Sequence, residues 1–174
     1  MSGINYDLTK IKALAFDVDG VLSPSTIPMD EEGNPMRMVN IKDGYALQLA
    51  AKCGYRLAII TGGKARATDV RYSALGIQDI FQGVAKKLPC LETWMLDNAL
   101  RPEEVIYMGD DIPDLPALRH VGLPCAPRDS ASEVLATASY ISRFDGGYGC
   151  VRDVVEQLLR ANGQWLSDAK AFGW

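Results

Sequence analysis

Asp17 and Asp19 stand one residue apart at the end of the apolar run Leu14-Ala15-Phe16, and Gly20 follows directly. In an extended segment the period of two puts both side chains on one side of the chain, at the carboxyl end of a strand, where open α/β sheets hold their ligands. Two carboxylates so placed repel each other unless a cation or a shared proton relieves them. The pattern therefore predicts a Mg²⁺ site in which one aspartate is free to attack and the other to shuttle protons. Five residues alone also fit a plain strand end with an Asp-Gly turn.

Three more clusters come after it in order: Ile59-Ile60-Thr61-Gly62-Gly63, Lys87 after Gln82-Gly83, and Met108-Gly109-Asp110-Asp111-Ile112-Pro113-Asp114. With the first, they make a sequence that resembles the haloacid dehalogenase-like (HAD) phosphohydrolases from about Lys12 to Gly163. Phosphoryl transfer is mostly positioning and charge neutralisation, and these residues supply its parts. Asp17 suits the nucleophile, and Asp19 the acid for the leaving oxygen and the base for water. The Asp17 carboxylate, the Asp19 carbonyl and Asp110 suit Mg²⁺. Thr61 and the Gly62 amide can donate to the phosphoryl group, and Lys87 adds a fixed positive charge. Asp111 and Asp114 suit groups that orient Asp110 or Lys87. Simpler roles exist for three of these: Thr61 and Asp114 as helix caps, and Lys87 as a solvated helix-terminal lysine.

The elements that must position these groups alternate along the chain. Strands are expected at Ala13–Phe16, Arg56–Ile60, Ile80–Gln82, Val105–Met108, Leu123–Ala126 and Tyr140–Ile141. Helices are expected at Gly44–Lys52, Ala65–Leu75, Leu88–Asn98, Leu115–His120, Ala131–Thr137 and Val151–Ala161, four of them followed by Gly54, Gly76, Gly122 and Gly163. Alternation of this kind predicts an α/β, Rossmann-like HAD fold: a mostly parallel sheet with helices on both faces. Between Asp19 and Asp43 the alternation stops. The turn signal Glu32-Gly33-Asn34 there predicts a β-hairpin over about 24–40, projecting as a flap. No insertion is long enough for a cap domain, so the pocket of a lone chain would stay open.

At 174 residues and 48% hydrophobic content, one domain over 1–174 with a tail from about 163 is expected. The net charge of −4 without a Lys/Arg run excludes a nucleic-acid footprint. Cys53, Cys90, Cys125 and Cys150 form no CxxC pair, which predicts reduced thiols. No segment approaches the ~20 apolar residues of a membrane span, so a cytoplasmic protein is expected.

Within the HAD group the chain is similar to the capless phosphatases of 3-deoxy-D-manno-octulosonate 8-phosphate (KDO 8-phosphate). The matching stretches are Asp17–Leu22, Asn40–Tyr45, Ile59–Gly62, Arg71 with Leu75–Ile77, Gln82-Gly83 with Lys87, Gly109–Asp111 and Gly146–Arg152. The resemblance implies a phosphorylated sugar-acid substrate, with contacts at Gly62, Asn40, Lys42, Asp43, Gly44 and Arg71. It also implies a homo-oligomer, a tetramer whose hairpins form a central barrel. Its Gly-rich segment, here Asp145 to Gly149 and the residues after it, enters a neighbour's site. Where that subgroup has arginines this chain has Lys42, Gln48 and Gly63, with Lys64 and Arg66 nearby to compensate; lysine lacks the bidentate fork. Phosphatases of nine-carbon 2-keto sugar acids share the scaffold, and related domains also serve as tetramerising modules.

Overall fold

The computed structural model describes residues 3–173; residues 1, 2 and 174, at the ends of the expected domain and tail, lie outside the described residues. Six strands form one parallel sheet: β1 (Ala13–Phe16), β2 (Arg56–Ile60), β3 (Asp79–Phe81), β4 (Val105–Met108), β5 (Leu123–Ala126) and β6 (Tyr140–Ile141), in the order β3-β2-β1-β4-β5-β6. The order reverses at β1 and β4, whose register pairs Phe16 with Met108. A crevice therefore opens at their carboxyl ends, where Asp17 and Asp110 begin the next segments.

The central strands are buried on both faces, and the alternation of side chains decides what covers each. Leu14, Phe16, Leu57, Ile59, Ile106 and Met108 pack with α1 (Ile41–Lys52), α6 (Cys150–Ala161) and Tyr72 of α2 (Arg66–Ser73). On the other face, Ala13, Ala15, Ala58, Ile60 and Tyr107 meet α3 (Lys87–Asp97), α4 (Leu115–Leu118) and Val134 of α5 (Ser132–Thr137). Each core is continuous, so the strand ends that carry the aspartates are held from both sides.

Helix α1 starts three residues earlier than the sequence suggests. The Asn40 side chain accepts from the amides of Lys42 and Asp43, a cap that extends the helix back to Ile41. The excursion before it is less regular than a full hairpin. It holds one antiparallel bridge, Met29 with Pro35, closed by a turn in which the Gly33 amide donates to the Asp30 carbonyl. Met29, Met36, Met38 and Val39 remain exposed along it.

Two segments expected to reach a neighbour are seated on their own chain. In the tail, Trp165 stacks edge-on with Tyr45 at 5.8 Å, the Arg152 guanidinium lies over the Trp165 ring, and the Tyr45 hydroxyl donates to the Ala171 carbonyl at 2.7 Å. In the Gly-rich segment, the Gly147 amide donates to the Val21 carbonyl and Asp145 pairs with Arg128. Both make these contacts within the protomer, while Tyr148, Leu166 and Phe172 stay exposed. All four cysteines are free, and among the described residues no helix is long and apolar enough to cross a membrane.

Candidate active site

Lys87 is the hub. Its ammonium, buried at the start of α3, donates to Asp17 Oδ2 at 2.5 Å and to Asp114 Oδ1 at 2.7 Å. Asp114 is fully committed: Oδ1 also accepts from the Tyr107 hydroxyl at 2.6 Å, and Oδ2 from the amides of Asp110 and Asp111. Asp17 Oδ1 accepts from the Val18 amide at 2.7 Å, so this carboxylate is oriented at both oxygens. The solvated-lysine role for Lys87 and the simple cap for Asp114 are thereby replaced by a buried charge network.

Asp110 completes the cluster. Ligand atoms of Asp17, Asp110 and Asp114 lie within 4.8 Å of one another. Gly20, with a φ of +81°, is what lets Asp110 approach: a Cβ there would fall 1.9 Å from Asp110 Oδ2. With Asp114 saturated by donors, Asp17 and Asp110 are the carboxylates left for a cation. That all-oxygen set fits a hard dication that keeps most of its waters.

The charges bear this out. Burial, and then the negative charge of Asp114, raises the Asp17 carboxyl against the pull of Lys87. The same causes, burial first and then Asp114 and Asp17, push Asp110 up to about 7. Burial works to lower Lys87, but Asp17 and Asp114 outweigh it and leave its ammonium raised. A carboxyl whose folded pKa is raised contributes stability that is complete below its unfolded pKa and is lost as pH rises through the folded value. The metal-free protein should therefore lose stability at this site between about pH 4 and pH 7, the window that the Asp110 shift defines. A dication relieves that repulsion, so the rise in Tm with saturating Mg²⁺ should be about 5 °C or more at pH 8 and shrink strongly at pH 5. Equal rises at both pH values in thermal melts would contradict this electrostatic account.

Around the cluster is an open cavity of about 460 Å³, lined by Asp17, Asp19, Thr61, Gly62, Lys87 and Asp111 among others. Thr61 is no helix cap. Helix α2 begins at Arg66 with no side chain capping it, and buried Thr61 faces the cavity instead. Of the residues expected to bind substrate, only Gly62 lines this cavity. Asn40 caps α1 and donates to the Gly147 carbonyl at 3.1 Å; Asp43 Oδ1 accepts from the Arg152 amide at 2.6 Å; Arg71 lies against Gly44, where a Cβ would fall 2.4 Å from its Nη2. Asp43 Oδ2 and Arg71 Nη2 are buried without a partner, and burial pushes Asp43 up to about 6. Lys42 lines a different and larger groove, about 670 Å³, with Arg143, Arg152 and Arg160 beside α6. That groove is roomier but lacks a carboxylate cluster on strand ends, which the smaller cavity has.

Sequence reasoning missed Arg37. Its Nε and Nη2 donate to the two Asp19 oxygens at 2.6 and 2.8 Å. It is the one cation between Ser23 and Asn40, and it stands between Met36 and Met38, both half exposed, so alternation along an extended segment turns it inward. That alternation was the available signal.

No family model matches the chain. The chain is 39% identical over 160 residues to the 3-deoxy-D-manno-octulosonate 8-phosphate phosphatase KdsC of Escherichia coli K12, covering 92% of this chain and 85% of that protein. The crystal structure of the 3-deoxy-D-manno-octulosonate 8-phosphate phosphatase of Moraxella catarrhalis, in complex with a magnesium ion, a phosphate ion and KDO, superposes with a TM-score of 0.86 at 36% identity, covering 90% of this chain and 91% of that one. A Legionella pneumophila structure assigned to HAD superfamily hydrolases of subfamily III A matches with a TM-score of 0.87 at 34% identity, covering 91% and 87%.

Proposed function

The chain belongs to the 3-deoxy-D-manno-octulosonate 8-phosphate phosphatase (KdsC) family, and on that premise we propose that it is a Mg²⁺-dependent phosphomonoesterase converting KDO 8-phosphate to KDO and phosphate. The observation that carries this reading is the Lys87 ammonium shared between Asp17 and Asp114, with Asp110 on the open side. A module built only for assembly has no physical need to bury a cation among clustered carboxylates.

Asp17 and Asp110 would hold the Mg²⁺, which would supply positive charge against the phosphoryl oxygens. The chain's own residues do the rest. Val18 and Lys87 hold the Asp17 carboxylate in one orientation for attack on phosphorus. As the Asp17 oxygen bonds to phosphorus, the bond to the sugar oxygen breaks and that oxygen takes its electron pair and a proton from Asp19. Thr61 and the Gly62 amide donate to the equatorial oxygens, and Lys87 offsets their charge. Asp19 then takes a proton from water as its oxygen attacks the aspartyl-phosphate, which frees Asp17 and phosphate.

Phosphate release from KDO 8-phosphate, with Mg²⁺ and with a chelator, tests the assignment, and a nine-carbon 2-keto sugar acid 9-phosphate run in parallel tests the substrate. Turnover of the nine-carbon compound alone would reassign the substrate; no Mg²⁺-dependent turnover of either would overturn the reaction. Asp19→Asn checks the acid. Its loss should be small with nitrophenyl phosphate, whose leaving group needs no proton, and about 10²- to 10⁴-fold with the sugar phosphate. Equal losses would make Asp19 a structural residue.

The reading extends to a homo-oligomer, a tetramer, supported by the flap and not by the tail. Met29, Met36, Met38 and Val39 have no core of their own to bury in, and a second copy of the same flap is a matching apolar surface. Sedimentation should show the intact chain as a tetramer and a Met36→Asp, Met38→Asp variant as a smaller, folded and less active species; a fully active wild-type monomer would refute it. Four free thiols fit a reducing compartment, which supports the cytoplasm.

A further inference from the structure

The position after Thr61-Gly62 carries no side chain, yet it is not empty. A Cβ built on Gly63 would fall 2.2 Å from Arg37 Nη2 and 3.4 Å from Asp19 Oδ2. The guanidinium thus fills the space that a residue at 63 would need, and it arrives there from the flap, 26 residues earlier in the chain. From that seat it grips both oxygens of Asp19 in a parallel fork, the strongest geometry an arginine offers a carboxylate. Its third nitrogen, Nη1, is buried and has no partner. Arg37 is therefore fully engaged with Asp19 while keeping a spare donor in a site where donors are normally satisfied.

The pairing is at odds with the role assigned to Asp19. An oxygen held by a guanidinium cannot be presented to a leaving oxygen. We propose that Arg37 is a specificity-determining residue that locks Asp19 in the free chain and is drawn off by the carboxylate of a sugar-acid phosphate, so that only a substrate carrying a second anionic group releases the acid. The inference rests on the phosphatase reading above and deepens it. A carboxylate offers the same fork that Asp19 does, so the exchange trades one bidentate pair for another and costs little, while a neutral alcohol offers no replacement. Gly63 is what leaves room for the fork: a Cβ there would take the seat of the guanidinium and displace it from Asp19.

The test compares KDO 8-phosphate with glycerol 2-phosphate, which has an alkyl leaving group and no carboxylate, in the full-length protein with Mg²⁺. Arg37→Ala, checked for folding by its thermal melt, should lower kcat/KM for the sugar acid about 10- to 100-fold, mostly through KM, as expected for a lost charged pair. It should raise glycerol 2-phosphate turnover, because Asp19 is no longer held. Gly63→Ala, which places a Cβ in the guanidinium's seat while Arg37 is still present, should shift the two substrates in the same directions as Arg37→Ala. Equal losses on both substrates, an unaffected sugar acid, glycerol 2-phosphate turnover that does not rise, or a Gly63→Ala variant that behaves as wild type would each overturn the lock. If the wild-type protein hydrolyses neither compound, the phosphatase reading itself falls and the lock with it.

Discussion

Replacing Asp17 with asparagine should cut phosphate release by about 10⁴-fold or more while leaving the fold intact. An amide nitrogen or oxygen does not form a stable acyl phosphate, so the covalent route closes; the remaining groups can still bind and polarise the ester, which sets the residual rate. The fold should survive for a separate reason. Burial and Asp114 already disfavour the ionised Asp17, so neutralising it removes one of three mutually repelling carboxylates at the cost of one partner for Lys87, which keeps Asp114. The melt of the metal-free variant should lie within a few degrees of wild type, and its Mg²⁺-induced rise should shrink because a ligand is gone. Retention of more than about a tenth of the wild-type rate is far beyond what loss of a nucleophile allows, and would rule out attack by Asp17.

Much of this arrangement was legible in the sequence because it is local. Five of the six strands have the bounds that their apolar runs imply, and β3 differs by one residue, since runs such as Arg56–Ile60 and Val105–Met108 are closed by polar or glycine turns that cannot extend a buried strand. Asp17, Thr61 and Asp110 lie at or just beyond strand ends, so locating the strands located them. What was not legible depends on contacts far apart in the chain. For Asp114 the sequence leaves two roles open, an orienting group and a helix cap, and only the convergence of Tyr107, Lys87 and two amides on it decides between them. Alternation with the half-exposed Met36 and Met38 turns Arg37 inward, but what it meets there depends on the absence of a side chain at Gly63, 26 residues later. The tail departs from expectation for a related reason. Apolar residues beyond the last helix suggest an external partner, but Trp165 finds Tyr45 and two arginines on the faces of α1 and α6, a surface that only the packed helices create.

The same network makes Lys87 the residue whose loss should cost the fold most. Its side chain is 6% exposed, and its ammonium serves two carboxylates that are themselves buried. Truncating one partner of such a cluster leaves uncompensated charge in a poorly solvated place, which costs about 3–5 kcal/mol and should lower Tm by about 6–20 °C for a chain of this length. Lys87→Ala should do this in a pH-dependent way. Without the ammonium, Asp17 holds its proton more tightly when folded than unfolded, so the penalty is small at acid pH and grows as pH rises through its raised folded value. Activity should fall as well, since the phosphoryl group loses a fixed cation and Asp17 one of its two anchors. A second variant separates charge from packing. Lys87→Met combined with Asp17→Asn removes the ammonium and one carboxylate together and should recover a large part of the lost stability at pH 8, while remaining inactive. If Lys87→Ala melts like the wild type at pH 8, or if its deficit is the same at pH 5, the buried ammonium is not what holds the carboxylates together.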